Sequence, residues 1–98
     1  PLARVYRAFC CYGWEVFADP VIDGVRADLP FCGPGGPADG TDLLTVQKLI
    51  SDVGLSPLWL GELYTADILD GVLRLWYSLA VDRNLGRRLA LRALVSPG

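Results

Sequence analysis

The sequence SPLWLGELYTADILDGVLRLWYSL, residues 56–79, is the longest stretch of the chain without a strong helix breaker beyond its opening Ser-Pro. Its apolar residues recur three and four positions apart, which indicates one broad apolar helical face over many turns. Ser56, followed by a proline, and Thr65, ahead of the second apolar run, are each typical of a helix N-terminus. We therefore predict two buried helices in series, packed as a helical hairpin with Trp76 in the core.

The segments on either side of this hairpin also carry helical periodicity. It predicts helices over residues 2–17, 20–29, 42–53 and 85–95, with Thr41 as the N-cap of the third and Gly54 in a left-handed C-cap after it. For residues 9–17 a strand is the alternative, because CCYGWEVF is rich in aromatic and β-favouring types.

Residues 30–40, PFCGPGGPADG, contain three prolines and four glycines, a composition that predicts a loop rather than a helix or a central strand. The chain is thus predicted to be one all-α domain, residues 1–98, of about six short helices. These helices would form either stacked antiparallel pairs or a compact bundle.

Composition limits the class of protein. With 52% apolar and 20% charged residues the chain is too hydrophobic for disorder, and no apolar run approaches the ~20 residues of a membrane span. The three cysteines form no even-numbered disulfide framework, which favours a reducing, intracellular and cytoplasmic setting.

Catalytic chemistry has little support in the sequence. The chain has no histidine to pair with a cysteine, and three thiols fall short of the four ligands of a structural zinc site. The vicinal Cys10 and Cys11 are interpreted as packing residues rather than a redox pair. The glycines of residues 33–36 lack the preceding strand, the following Lys-Ser/Thr and the helix N-terminus receiving the phosphate that a nucleotide-binding loop needs, so a flexible linker is predicted. We predict no enzyme activity, no cofactor, no metal and no small-molecule substrate.

Interaction residues are predicted from charge and aromatic content. Four arginines occur in the last sixteen residues without an acid, and three would share one face of the last predicted helix. The candidates are Arg83, Arg87, Arg88 and Arg92, which would bind phosphate or an acidic partner unless they only offset the acidic middle of the chain. The chain also has more large aromatic side chains than a small core hides, and Tyr64 and Tyr77 are candidates for an exposed patch.

One motif resembles a known family. WLGELY, residues 59–64, resembles an aromatic-aliphatic-Gly-Glu-Leu-aromatic motif in the middle domain of the eukaryotic initiation factor 4G family. Residues 5–11 resemble that family's Tyr-Ala-x-x-Cys helix, and residues 85–95 its Leu-rich helix after the motif. The resemblance implies HEAT-type helical repeats acting as a scaffold for a DEAD-box helicase or RNA. This chain is much shorter than that domain, so no helicase-contact residue is carried over.

The expected function is therefore a helical protein-protein interaction or scaffold module, linked through the resemblance to translation or RNA metabolism. We expect a protein partner or a homo-oligomer, and no membrane. The alternative is an RNA-binding module that uses the C-terminal arginines.

Overall fold

A computed structural model describes residues 5–35 and 41–96, and within these residues the fold is mixed α/β. The α-helices span Trp14–Ala18 (α1), Thr41–Val53 (α2) and Ala66–Tyr77 (α3). The strands span Val21–Ile22 (β1), Val25–Arg26 (β2), Asp28–Phe31 (β3) and Ser56–Trp59 (β4). The prediction of an all-α domain built from six helices or helical repeats is wrong.

A β-α-β unit forms the centre of the molecule. Strands β3 and β4 are parallel, with Asp28 opposite Ser56 and Phe31 opposite Trp59, and α2 connects them. Parallel strands require such a crossover connection, which is usually a helix. The first helix of the predicted hairpin is therefore a strand, and the supposed helix cap at Ser56 is its first residue.

Helix α2 confirms the helix predicted over residues 42–53 to within one residue. Gly54 has a φ of 107°, the left-handed conformation expected at its C-terminus. The Leu55 N–H donates to the Ile50 carbonyl oxygen at 3.2 Å, and both side chains are fully buried. The predicted cap at Thr41 involves a side chain outside the described structure.

Residues 20–29 contain a β-hairpin instead of the predicted helix. Asp23 and Gly24 both have positive φ, 51° and 80°, as a two-residue type I′ turn requires. Asp-Gly between β-branched residues favours a hairpin turn, and this local preference prevails over the tendency of Asp19-Pro20 to begin a helix. Strand β3 follows and runs through Pro30, so the predicted loop over residues 30–40 begins later, and residues 36–40 lie outside the description.

Helix α3 begins where the second helix of the hairpin was predicted and extends into a π-helical turn, Ser78–Asp82. Trp76 is only 3% exposed, which confirms its place in the core. Its indole Nε1 donates to the Leu89 carbonyl oxygen at 2.7 Å. Thr65 does not cap the helix, because its hydroxyl donates instead to the Glu62 carbonyl oxygen at 2.7 Å.

The N-terminal segment is mostly irregular. Within residues 5–17, the helix predicted over residues 2–17 is present only as α1, and the alternative strand over residues 9–17 is absent. Arg7 and Cys32 form an isolated antiparallel bridge, with N–H to O distances of 2.9 and 3.1 Å. Phe9 has a φ of 58°, which no helix accommodates.

The C-terminal segment, residues 85–96, has no helix although one was predicted over residues 85–95. Asn84 and Gly86 have positive φ, 57° and 98°, which prevents a helix from starting there. The backbone bonds to the rest of the molecule instead: the Asp28 N–H donates to the Leu91 carbonyl oxygen at 2.9 Å, and the Ala93 N–H to the Asp28 carboxylate at 2.6 Å. The segment therefore covers β3 and closes the core.

The buried core combines side chains from the N-terminal segment, β3, α2 and α3. Its fully buried side chains include Val16 of α1, Phe31 of β3, Ile50 of α2 and Leu69 of α3. Among the described residues, no helix is long and apolar enough to cross a membrane.

Candidate interaction surface

The fold divides the predicted arginine cluster: Arg88 and Arg92 line one cavity of about 280 Å³ together with Arg26, and Arg83 and Arg87 do not line it. Arg87 donates from Nε to the Glu15 carboxylate at 2.6 Å, and its guanidinium carbon lies 5.5 Å from the centroid of the Trp76 ring. Arg88 donates to the carbonyl oxygens of Asp19 and Val21. These contacts attach the C-terminal segment to α1 and to the first hairpin.

The remaining two arginines differ from each other. Arg92 donates to the Arg26 carbonyl oxygen at 3.1 Å and lies 3.8 Å from the Asp28 carboxylate. Arg83 is exposed, and its side chain makes no ion pair or hydrogen bond within the described part of the chain. Three of the four predicted contact residues therefore have intramolecular roles, and they share no helical face.

Glu15 and Arg87 are both charged in this ion pair. Its hydrogen bond lowers the pKa of Glu15 and raises the pKa of Arg87. A guanidinium that is paired with a carboxylate and lies over a tryptophan ring has less capacity for an external phosphate. No local sequence pattern predicts this pairing, because Glu15 and Arg87 are 72 positions apart.

The two candidate tyrosines lie at opposite ends of α3. Tyr64 is 83% exposed in the 3₁₀ turn before the helix, and Tyr77 is 53% exposed in the last turn of the helix. They do not form a single patch along the helix. Tyr77 alone borders a groove.

We call this groove the α3 groove. It is open, has a volume of about 800 Å³, and runs along the outer face of α3 into the π-helical turn. It is lined by Gly71, Leu73, Arg74, Leu75, Tyr77, Ser78 and Asp82.

The charged residues of the α3 groove are regularly spaced. Arg74, Ser78 and Asp82 follow one another at intervals of four, which places them along one side of the helix. The side chains of Arg74 and Asp82 make no ion pair with any other described residue. Asp70 lies four residues before Arg74 but pairs with Arg7 instead.

The rims of the α3 groove are apolar. At about 100° per residue, Leu75, which is 48% exposed, lies on one side of the row formed by Arg74, Ser78 and Asp82, and Tyr77 lies on the other; these two sides are the rims of the groove. Exposed leucine and tyrosine side chains beside unpaired charges are typical of a binding surface rather than of a purely solvated helix face. The spacing of Arg74, Ser78 and Asp82 was available in the sequence, but the predicted hairpin did not draw attention to it.

The glycine-rich loop is a second candidate, and its structural context differs from the prediction. It does follow a strand, β3, and it does precede a helix, α2. Its described part is held by the chain itself: the Gly35 N–H donates to the Glu62 carboxylate at 2.6 Å, and the Trp59 indole donates to the Gly33 carbonyl oxygen at 3.1 Å. A carboxylate already occupies the place that a phosphate oxygen would take at Gly35.

This arrangement also explains the WLGELY motif. Trp59 and Glu62 both hold the glycine-rich loop, and a side chain at Gly35 would collide with the Trp59 ring. Within the described structure the motif therefore acts on the chain's own loop. The HEAT-type fold that the resemblance implies is not the fold observed.

The cysteines are unpaired, and two of them are buried. Cys11 and Cys32 have no solvent exposure, and burial raises the pKa of the Cys11 thiol to about 12. A protonated, buried thiol is a poor nucleophile at neutral pH. Among the described residues, no group of three or more Cys, Asp or Glu side chains is placed to hold a metal ion.

Comparisons with known proteins found no match to a protein-family model, to a curated protein or to a solved structure.

Proposed function

We propose that this chain is a non-catalytic interaction module that binds a polypeptide along the α3 groove. The carrying observation is that this groove combines two apolar rims with one unpaired cation and one unpaired anion. Interfaces typically join an apolar contact area to a few charged groups that orient the partner.

The shape of the groove supports a polypeptide partner. An elongated, open groove along a helix accepts another helix or an extended peptide, whereas small molecules are usually bound in enclosed cavities. Leu75 and Tyr77 would supply the apolar contacts, and Arg74 and Asp82 the orientation.

RNA binding through the C-terminal arginines is the less supported alternative, although Arg88 and Arg92 line one cavity together with Arg26. Arg87, Arg88 and Arg92 are held by acceptors within the chain, which leaves Arg83 as the single cation of that set without a described partner. A role in translation or RNA metabolism rests on the motif resemblance alone. An intracellular, cytoplasmic setting is part of the proposal and is supported by three unpaired cysteines.

Site-specific photocrosslinking tests the proposed function. A photoreactive benzoylphenylalanine replaces Tyr77 at the rim of the α3 groove in one variant and Tyr64 in the control variant. Both positions are exposed tyrosines, but only Tyr77 lines the groove. Irradiation in cell lysate, followed by electrophoresis and mass spectrometry, identifies any polypeptide attached to each position.

We expect a crosslinked polypeptide from position 77 and none from position 64. Circular dichroism of both variants establishes that each is folded. No product from position 77, or the same products from both positions, would contradict binding in the α3 groove.

A further inference from the structure

We propose that the polypeptide bound in the α3 groove is a second copy of this chain, lying antiparallel so that Arg74 of each copy faces Asp82 of the other. The inference rests on the proposed function and specifies its partner. The supporting observation is that the groove contains one cation and one anion, so that two copies of it are complementary in charge.

The spacing of the charges fits twofold symmetry. Arg74 and Asp82 are eight residues apart, about 12 Å along a helix, with Ser78 midway between them. In an isologous dimer the same patch occupies both sides of the interface. A twofold axis at Ser78 places each arginine opposite an aspartate, and the two ion pairs are equivalent.

The same charges select the orientation of the two copies. In a parallel arrangement in register, Arg74 would meet Arg74 and Asp82 would meet Asp82, so that like charges would repel at both ends. The antiparallel arrangement pairs opposite charges at both ends, and complementary charges act mainly on orientation and specificity. Asp70 does not compete for Arg74, because it is already paired with Arg7.

The centre of the groove permits close approach. Ser78, at the centre, is small and exposed, and one end of the groove has Gly71, where an added Cβ would meet no atom within 4 Å. Packed helices approach to about 8–10 Å when the contact residues allow it. The Leu75 and Tyr77 rims would then be covered by the second copy, which removes apolar surface from water.

The interface is small, so we expect a weak dimer. One face of a single helix and its following turn provides less area than a standard stable interface. A dissociation constant on the order of 10 µM is expected for such a contact.

Sedimentation equilibrium with charge-swapped variants tests the dimer. The variants are Arg74→Asp, Asp82→Arg, the double swap, and an equimolar mixture of the two single swaps. Arg83→Asp is the matched control, because it makes the same charge change as Arg74→Asp at an exposed residue that does not line the groove.

We expect each single swap to weaken self-association at least about tenfold, because like charges then face each other at both ends. The double swap restores it, since every opposed pair again has opposite charges. In the mixture, one chain carries two aspartates and the other two arginines at these positions, so that heterodimers form in preference to either homodimer. Arg83→Asp leaves the dissociation constant unchanged.

The proposal is overturned if the wild-type chain stays monomeric at several hundred micromolar, tens of times the expected constant, or if the single swaps leave its association unchanged. It is also overturned if the double swap and the mixture fail to restore association. If the wild-type chain is monomeric and position 77 crosslinks to a different polypeptide, the dimer is ruled out but the proposed function stands. No crosslink at position 77 together with a monomeric wild type removes both.

Discussion

Tyr12 and Leu91 lie 79 positions apart, yet the Leu91 N–H donates to the Tyr12 hydroxyl at 3.1 Å. The same hydroxyl donates to the Asp28 carbonyl oxygen. Tyr12 is buried, so this one oxygen joins the N-terminal segment, strand β3 and the C-terminal segment inside the core. These three parts of the chain belong to no common helix or sheet, so the Tyr12 hydroxyl is a direct link among all three.

Replacing Tyr12 by phenylalanine should therefore destabilise the fold by about 1–3 kcal/mol, because the partly buried Leu91 N–H loses its acceptor. Urea unfolding monitored by tryptophan fluorescence measures the change. Tyr64→Phe is the control and should have no measurable effect, since Tyr64 is exposed and its hydroxyl makes no hydrogen bond within the described structure. Equal effects of the two substitutions would remove the role assigned to Tyr12.

Stability should also fall at alkaline pH. Burial raises the pKa of Tyr12 from 10.0 to about 12, and that of Cys11 from 9.0 to about 12. Above about pH 9 the unfolded chain loses these protons before the folded chain does, so the free energy of unfolding decreases as pH rises toward 12.

For Tyr12 the decrease is at most about 3 kcal/mol, and about half of it is reached by pH 11. Urea midpoints at a series of pH values between about 7 and 11 would show this decrease. In Tyr12→Phe the decrease should be smaller, and in Tyr12→Phe with Cys11→Ala smaller again. A stability that is flat across this range in the wild type would show that neither group is protected from ionisation.

Trp76→Ala should leave the domain marginally stable or unfolded. Truncating a buried tryptophan costs about 3–5 kcal/mol, and a domain of this size has only about 5–10 kcal/mol of stability. The indole also satisfies the Leu89 carbonyl oxygen, which would lose its donor. Arg83→Ala should change stability by no more than about 0.5 kcal/mol. Denaturant unfolding of both variants tests the contrast, and a cost below about 1 kcal/mol for Trp76→Ala would move this residue out of the core.

Two glycines should respond to alanine in opposite directions. Gly54 has a φ of 107°, and an added Cβ would lie 2.8 Å from Pro20 Cγ, so Gly54→Ala should destabilise the domain by at least about 1 kcal/mol. Gly71 lies within α3 with open space around it, so Gly71→Ala should stabilise the helix by about 0.5–1 kcal/mol. Thermal unfolding of both variants, at a concentration where the chain is monomeric, would show shifts of opposite sign.

The sequence predicted the two long helices because their apolar periodicity extends over several turns and their boundaries carry local signals. Gly54 marks the end of α2, and the apolar run that begins after Thr65 marks α3. It also placed Trp76 in the core. These features depend on residues close together in the chain, which a sequence pattern describes well.

The remaining features depend on contacts between distant residues. The periodicity of residues 85–95 matches a helix, but the backbone there bonds to Asp28 and Tyr12, and Asn84 and Gly86 block a helical start. The arginines were predicted to share one face of that helix, and this prediction was wrong because residues 85–96 form no helix. The charges of the α3 groove follow a spacing of four residues, but apolar periodicity identifies only the buried side of the same helix and so did not predict the groove.

The closing of the core by residues 87–93 has a consequence for synthesis on the ribosome. A nascent chain emerges from its N-terminus, so Tyr12, Asp28 and Trp76 leave the exit tunnel before the residues that supply their hydrogen-bond partners. Contacts of such large sequence separation form late and slowly. We expect chains stalled with residue 84 at the tunnel exit to be cut readily by protease, and chains released past residue 93 to resist it. The domain is therefore expected to fold in one step at the end of its synthesis, and no partly folded nascent chain should resist protease.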